Sequence, residues 1–325
     1  MILAIDIGGT KLAAGLVSDD GALVTSRRVA TPQSGDAEDL WTALTDLIEP
    51  LAAGVDGVGV GCGGPMVWPS GEVSPLNIPA WRGFPVRSRL QALFPGLPVR
   101  LHNDAICVAA AEHWRGAGQG SANMLGMVVS TGVGGGLILG DRLIDGGTGN
   151  AGHIGHVIVE PGGVPCGCGG RGCLEAVARG PGLVEWALAH GWTPGERTSS
   201  EARPYREDRE VTARDLAADA RAGDAVATAA MRRAGRALGI AIASATHLCD
   251  LDVVTIGGGL AQTGDLLFDP LEEALREHAR MDFAKRVKVV PAALGQDAGL
   301  VGGAALILAE ERYWLGHPPV GVERR

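Results

Sequence analysis

Four residues with metal-binding side chains lie in one short, glycine-rich stretch of the chain. Between residues 152 and 175, GHIGHVIVEPGGVPCGCGGRGCLE contains the pattern H-x9-C-x-C-x4-C, formed by His156, Cys166, Cys168 and Cys173. Four such ligands complete a tetrahedral zinc ion with no open position for water, which is typical of a structural site. We therefore predict a structural Zn²⁺ here, with His153 as a competing ligand or an ordinary polar residue.

A disulfide is the alternative for the clustered cysteines. It is less favoured because three close cysteines leave one unpaired and because a cytoplasmic protein keeps its thiols reduced. The remaining cysteines, Cys62, Cys107 and Cys249, stand singly in apolar surroundings. We expect them to be small buried hydrophobic residues.

Three glycine-rich turns, each directly after an apolar run, have the composition of phosphate- or nucleotide-binding loops. In DIGGTK, backbone amides can wrap a phosphate, Lys11 adds positive charge, and Asp6 can hold Mg²⁺ through water. STGVGGG at 130–136 is the second turn, and IGGGLA at 256–261 has a backbone bare enough to accept a flat base. An ordinary hairpin or bulge is the alternative for any single turn. The binding residues predicted in the turns are Asp6, Gly8, Gly9, Thr10, Lys11, Thr131, Gly132, Gly257, Gly258 and Gly259.

The elements that must position these turns alternate between strands and helices, which indicates an α/β fold. The first turn joins ILAIDI to LAAGLVS, as in a β-hairpin, and a third strand follows. A strand, glycine turn and strand recur after residue 115, where we place a domain boundary. Residues 190–212 are polar and rich in turn formers, so we expect an exposed insertion. Helices are predicted at 213–223 and 224–247, followed by the strand LDVVTIGGGLA and the final helix AGLVGGAALILAEERYW.

Composition narrows the class of protein. The 325 residues are 46% hydrophobic and carry a formal net charge of −9, which argues against a nonspecific nucleic-acid binder. No apolar run reaches the roughly 18 to 20 residues of a membrane span. The start MILAIDIGG lacks the basic region of a signal peptide. We expect a cytoplasmic protein without nucleic-acid or membrane partners.

Six motifs, in the same order along the chain, resemble those of the ROK family of bacterial sugar kinases. They are DIGGTK, LHNDA, STGVGGG, GHIGH, CGCGGRGCLE and IGGGLA. The resemblance implies an actin/Hsp70/hexokinase-like (ribonuclease H-like) α/β fold of two domains, with five-stranded mixed sheets, an interdomain cleft and a small zinc-binding loop. Residues 1–115 with 309–325 would form the smaller domain, and 116–308 the larger nucleotide-binding domain that contains the zinc loop.

The resemblance also implies roles for individual residues. Asp104 would be the general base that takes the proton from a sugar hydroxyl as it attacks the γ-phosphate of ATP. His156 would have one ring nitrogen on zinc and the other facing a sugar hydroxyl, so that the metal orients a sugar-binding group. The sugar-binding residues implied are Gly64, Asn77, Asn103, Asp104, His153, His156 and Glu175.

His153 departs from the family pattern. Most glucose-phosphorylating members have Glu at this position, whereas some N-acetylmannosamine kinases carry GHIGH, as this chain does. A carboxylate accepts two hydrogen bonds, but a neutral imidazole has one donor and one acceptor. Glucose and N-acetylmannosamine are therefore nearly equal candidates, with the 6-hydroxyl as phosphate acceptor and ATP or polyphosphate as donor.

Sugar-responsive transcriptional regulators with the same body are the main alternative, together with non-kinase sugar-binding proteins. Such a regulator needs a helix-turn-helix, normally before the first phosphate turn. Here Met1 stands five residues before Asp6, which favours the kinase. The resemblance favours a homodimer over a homotetramer.

Overall fold

A computed structural model describes residues 1–33, 35–195 and 211–314. Much of the predicted insertion, residues 196–210, lies outside these ranges. The strands are β1 (Ile2–Ile7), β2 (Lys11–Val17), β3 (Leu23–Ala30), β4 (Gly57–Cys62), β5 (Met66–Val67), β6 (Glu72–Val73), β7 (Val99–Asn103), β8 (Met124–Val129), β9 (Val133–Leu139), β10 (Arg142–Leu143), β11 (Val253–Gly257) and β12 (Lys288–Pro291). The helices are α1 (Ala37–Ile48), α2 (Val86–Leu93), α3 (Asp104–Arg115), α4 (Leu174–Ala178), α5 (Gly180–Ala189), α6 (Ala213–Arg221), α7 (Ala225–Cys249), α8 (Asp265–His278), α9 (Ala298–Leu308) and α10 (Glu310–Tyr313).

The first sheet is mixed and has the order β3-β2-β1-β4-β7. β1 pairs antiparallel with β2, which confirms the predicted hairpin, and parallel with β4, which in turn pairs parallel with β7. β1 and β4 are apolar along nearly their whole length because both of their faces are buried. The capping box of Asp36 and Asp39 starts α1, whose buried leucines join the core of this sheet.

Helix α9 packs on this sheet with unusually small side chains at the contact. A Cβ atom on Gly59 of β4 would overlap the Gly303 backbone, and one on Gly302 would overlap the Cys107 backbone of α3. Glycine at these positions therefore lets a helix lie directly against a strand and against a second helix.

The second sheet has the order β10-β9-β8-β11-β12, with β8, β11 and β12 parallel. The glycine turn predicted at 130–136 is shorter than expected, because β9 begins at Val133 and includes the glycines that follow it. Gly136 serves helix packing instead of a turn, since its Cβ would lie 2.8 Å from the Ala109 Cβ and 2.9 Å from the Ile106 Cα.

The chain divides into two compact units. Unit 1 comprises residues 1–122, 136–152 and 296–325, and unit 2 comprises 123–135 and 153–295. The sequence prediction assigned 298–308 to the larger domain, but α9 belongs to unit 1, where it covers β1 and β4. Within the described ranges, no helix combines the length and apolarity needed to cross a membrane.

Candidate active site and metal centre

The carboxyl ends of β1, β4 and β7 meet at one edge of the first sheet. Ile7 is opposite Cys62, and Cys62 is opposite Asn103, so the three strands end in register. The residues that follow them, including Gly8, Gly63 and Asp104, therefore leave the sheet at the same edge. In an open α/β sheet this is where ligands bind.

Asn103 and Asp104 form the start of α3. The Asn103 Oδ1 accepts from the Ala105 N–H at 3.0 Å, as an N-cap does, so a ligand hydroxyl would bind through the Nδ2 hydrogens. The Asp104 Oδ1 accepts from the same N–H at 2.8 Å. Burial raises the pKa of Asp104 above its usual value, although these backbone hydrogen bonds oppose the shift.

Gly63 lies between the two side chains predicted to bind the sugar hydroxyl. Its Cβ would be 3.3 Å from the Asn77 Oδ1 and 3.9 Å from the Asp104 Oδ2. A Cβ on Gly9 would be 2.6 Å from the Asn77 Nδ2, so the first glycine turn packs directly on Asn77. The neighbouring Gly64 uses its carbonyl to accept from the Leu76 N–H at 3.3 Å.

The first turn differs from the prediction in one donor. The Gly8 N–H donates to the Lys11 carbonyl at 3.0 Å and closes the hairpin, so it does not point to a ligand. Of the predicted phosphate-binding donors of this turn, the amides of Gly9 and Thr10 are left.

Asp6, the last polar residue of β1, carries an unfavourable charge. Burial and the nearby Asp104 carboxylate raise the pKa of Asp6 to about 6, while Lys11 and Arg28 lower it. A carboxylate held at such an electrostatic cost, beside a second carboxylate, is typical of a site completed by a cation or of a functional group.

Gly299 was missed by the sequence prediction. Its Cβ would lie 2.8 Å from the Asp6 Oδ2, so the first turn of α9 approaches the carboxylate closely. Gln296, which lies just before α9, contacts Lys11: the Lys11 Nζ donates to the Gln296 Oε1 at 3.4 Å. The only sequence signal was glycine at the start of a predicted helix, which does not indicate what it packs against.

In unit 2, the four predicted metal ligands come together. Their ligand atoms all lie within 4.8 Å of one another, with Cys168 and Cys173 Sγ 3.7 Å apart and Cys166 Sγ 3.8 Å from the His156 Nδ1. A tetrahedral zinc ion with Zn–S bonds of about 2.3 Å has Sγ–Sγ edges of about 3.8 Å, whereas a disulfide needs about 2 Å. All six cysteines are unbridged, so the disulfide alternative is wrong and the donor set fits zinc.

Short backbone contacts position the metal ligands. Ile158 forms an isolated antiparallel bridge with Cys173, and Pro165 forms one with Arg171. His156 lies in a 3-10 turn, Ile154–His156, and its ring stacks at 6.4 Å on that of His153. His156 presents Nδ1 to the cysteines, so Nε2 is the nitrogen directed away from them.

Glu175 is at the start of α4, directly after the metal ligands. Its Oε2 accepts from the Val133 N–H at 3.0 Å and lies beside Gly132. The second glycine turn is therefore held by the residue that the resemblance assigns to the sugar.

The second and third turns are neighbours. Gly258 has φ +92° and lies so close to the Val129 carbonyl that a Cβ would overlap it, and a Cβ on Gly259 would be 3.9 Å from the Ser130 Oγ. Thr131 at the tip of the second turn is exposed, and Gly257 ends β11. The parallel pairing of β8 and β11 brings the two turns together.

The ROK family model matches residues 2–310. The chain belongs to the ROK family. The N-acetylmannosamine kinase of Yersinia pseudotuberculosis is 36% identical over 305 residues, which are 93% of this chain and 96% of that protein. Two ROK crystal structures are also similar. A Streptomyces griseus ROK glucokinase in complex with glucose and AMPPNP is 33% identical, with a TM-score of 0.76, over 94% of this chain and 98% of that chain.

The second similar ROK structure is a transcriptional regulator, a homologue of the E. coli MLC protein. It is 26% identical, with a TM-score of 0.80, and the match covers 95% of this chain but 77% of the regulator. These likenesses confirm the predicted family and its actin/hexokinase-like α/β fold. Because the family has both kinases and regulators, the activity must be argued from the residues of this ROK chain.

Proposed function

We propose that this protein is an ATP-dependent sugar kinase that transfers the γ-phosphate to the 6-hydroxyl of a hexose or N-acetylhexosamine. The observation that carries the proposal is the Asp104 carboxylate at the start of α3, facing Gly63 together with Asn77. The likeness to a glucokinase with bound AMPPNP supports ATP as the donor over polyphosphate.

Asp104 acts as the general base in this proposal. It accepts the hydroxyl proton while the sugar oxygen forms a bond to the γ-phosphorus and the bond to the ADP oxygen breaks. Its raised pKa makes it a stronger proton acceptor than an ordinary aspartate, provided that the pH keeps it ionised. Asn77 and the Nδ2 of Asn103 hold the hydroxyl, and the Gly64 backbone borders the sugar.

The first turn receives the phosphate groups. Gly9 and Thr10 donate backbone hydrogen bonds, and Lys11 compensates negative charge. Asp6 would hold Mg²⁺ through water, and the ion would supply positive charge for the phosphate oxygens. Thr131, Gly132 and the three glycines of the third turn contact the nucleotide.

In unit 2, His153, His156 and Glu175 are the proposed sugar contacts. His156, Cys166, Cys168 and Cys173 would hold Zn²⁺, and a bond from the ion to Nδ1 would fix the imidazole so that Nε2 faces a sugar hydroxyl. The Val133 N–H donates to one oxygen of the Glu175 carboxylate. This hydrogen bond fixes the direction of the other oxygen, which is the proposed sugar contact. We further propose a cytoplasmic homodimer.

The candidate substrates are glucose and N-acetylmannosamine, because relatives similar over more than nine tenths of this chain are named for each. A sugar-responsive regulator without kinase activity is the competing function. Phosphorylation of glucose, mannose, N-acetylglucosamine and N-acetylmannosamine should be compared by kcat/KM with ATP and Mg²⁺. We expect ATP consumption that depends on the sugar and yields a 6-phosphate. ATP consumption that is absent, or indifferent to every sugar, would contradict the kinase.

A further inference from the structure

His102 and Asp145 form a buried pair that the proposed chemistry does not use. The His102 Nε2 lies 2.8 Å from the Asp145 Oδ1, and the two residues are 0% and 6% exposed. Both belong to unit 1. Burying a carboxylate and an imidazole is costly unless they are paired, so a reason outside the proposed chemistry is needed for keeping both groups in the interior.

The second ring nitrogen of His102 explains the pairing. The Asn103 N–H donates to the His102 Nδ1 at 2.9 Å, so Nδ1 must be unprotonated and the ring proton must lie on Nε2. Nε2–H then donates to the Asp145 carboxylate. Asp145 thus selects the one tautomer of His102 that accepts from the next residue's backbone.

The residue held in this way is the N-cap of the proposed catalytic helix. Asn103 has φ −60° and ψ 142°, and its side chain accepts from Ala105 N–H, so a rotation of its backbone would also turn Asp104. The rings of Trp68 and Trp314 lie beside the His102 ring, with centroid separations of 6.5 and 6.4 Å, so aromatic side chains also border the buried pair.

Asp145 also holds a second segment. Its carbonyl accepts from the Ala151 N–H at 3.1 Å and closes the loop that ends at Gly152, immediately before His153 in the sequence. Asp145 therefore holds His102 at the end of β7 through its carboxylate, and the loop that leads to GHIGH through its backbone carbonyl.

We propose that His102 and Asp145 are positioning residues that hold the backbone of Asn103, and through it Asp104, in the orientation that phosphate transfer requires. The inference rests on the proposed function for the identity of the reaction. The hydrogen-bond chain from Asp145 through His102 to Asn103 does not depend on that function.

A pair of double variants tests the proposal. Both replace Asp145 by Ala, so that no buried carboxylate is left without a partner, and they differ only at position 102. His102→Leu/Asp145→Ala removes the acceptor for Asn103 N–H, whereas His102→Asn/Asp145→Ala keeps an acceptor, the amide oxygen, close to the place of Nδ1. Any loss of stability from the space left by Asp145 is common to both.

We expect the leucine variant to lose at least tenfold in kcat/KM for the sugar, with KM for ATP within about twofold of wild type. The asparagine variant should recover most of the loss. In hydrogen exchange, the Asn103 amide should be protected in wild type, exposed in the leucine variant and protected again in the asparagine variant.

Equal kinetics in the two variants, or equal protection of the Asn103 amide in both, would overturn the positioning role. If wild type consumes ATP with no sugar dependence, the proposed function fails instead. The exchange measurement then still decides whether the chain from Asp145 to Asn103 holds the start of α3.

Discussion

The strand edge of unit 1 and the cysteine loop of unit 2 position their polar groups in different ways. Asp6, Asn103 and Asp104 lie at the ends of strands or the start of a helix, so sheet register sets where they are. The loop from 152 to 173 has one 3-10 turn and isolated bridges, and its ligands come from that 3-10 turn, from the turn at 166–169 and from the bridge residue Cys173. Regular structure holds the first region, whereas in the second a bound ion would supply the bonds that regular structure does not.

The difference has an energetic side. At the strand edge, burial raises the pKa of both Asp6 and Asp104, and the nearby Asp104 carboxylate raises that of Asp6 further. The buried carboxylates destabilise the fold, but the packed sheet and helices around them remain stable. Such unfavourable burial of charge is typical of functional groups. In the cysteine loop, the clustered donors become favourable when a cation binds them. We therefore expect substitutions at the strand edge to change the reaction rate or the electrostatics of the site. Substitutions in the cysteine loop should instead change how well the loop is ordered.

Substitution of Asp104 by Asn should have the largest effect. The amide keeps the size and hydrogen-bonding shape but cannot take a proton, so kcat should fall by about 10² to 10⁴ while the sugar Kd stays within about threefold. Steady-state kinetics and calorimetric sugar binding measure the two quantities. Asp269→Asn, at an exposed position of α8, is the matched control. A variant that keeps more than a tenth of the wild-type rate would remove Asp104 from the chemistry.

Substitution of Cys168 by Ser tests the loop and should have an intermediate effect. Because Ser is a poor zinc ligand, we expect loss of the bound metal and a rise of about tenfold in KM for the sugar, with KM for ATP unchanged. Metal content by mass spectrometry is measured on the same sample as the kinetics. Cys249→Ser, outside the cluster, is the control and should keep both. Normal sugar kinetics after proven metal loss would show that the ion does not order the pocket.

Substitution of Asp6 by Asn tests whether the buried charge at the strand edge destabilises the fold, and it should have the smallest effect. The folded-state pKa of about 6 exceeds the ordinary 3.8, so the folded protein binds the proton more tightly and the charged carboxylate destabilises it. The cost is absent below pH 4, grows between pH 4 and 6, and is fully present above pH 6. Asp6→Asn should therefore raise the Tm of the metal-free protein at pH 8 by a few degrees.

The same variant should show little stabilisation at pH 4, where Asp6 is mostly protonated in both the folded and the unfolded state. Thermal unfolding by differential scanning calorimetry at the two pH values is the measurement. Asp269→Asn again provides a control without a buried charge. A lower Tm at pH 8 than that of wild type would mean that the Asp6 charge stabilises the fold.

Local patterns predicted much of both regions. The hairpin around GGTK and the positions of the glycine turns after β1, β8 and β11 followed from apolar runs punctuated by glycine. The spacing of His156 and the three cysteines predicted a ligand set that does converge. These are short-range properties, since a turn or a ligand spacing is set within about twenty residues.

Patterns of residues were less informative about packing partners. The sequence predicts a turn at glycines 134–136, yet these residues lie in β9. Gly136 is needed there because it packs against α3, a helix about 30 residues earlier in the chain. The sequence did not indicate that α9 covers β1 and β4, because an apolar helix without polar faces does not reveal which sheet it covers. Gly299 could not be distinguished from other glycines for the same reason.

By itself, the sequence determined which residue types are available for chemistry, where the chain turns and which four side chains can share an ion, since all of these depend on neighbours in the chain. Only the tertiary structure decided that Asp6 meets Asp104 and α9, and that His102 meets Asp145. Those meetings join residues 43 to almost 300 positions apart, and they arise from strand order and helix packing, which no local pattern encodes.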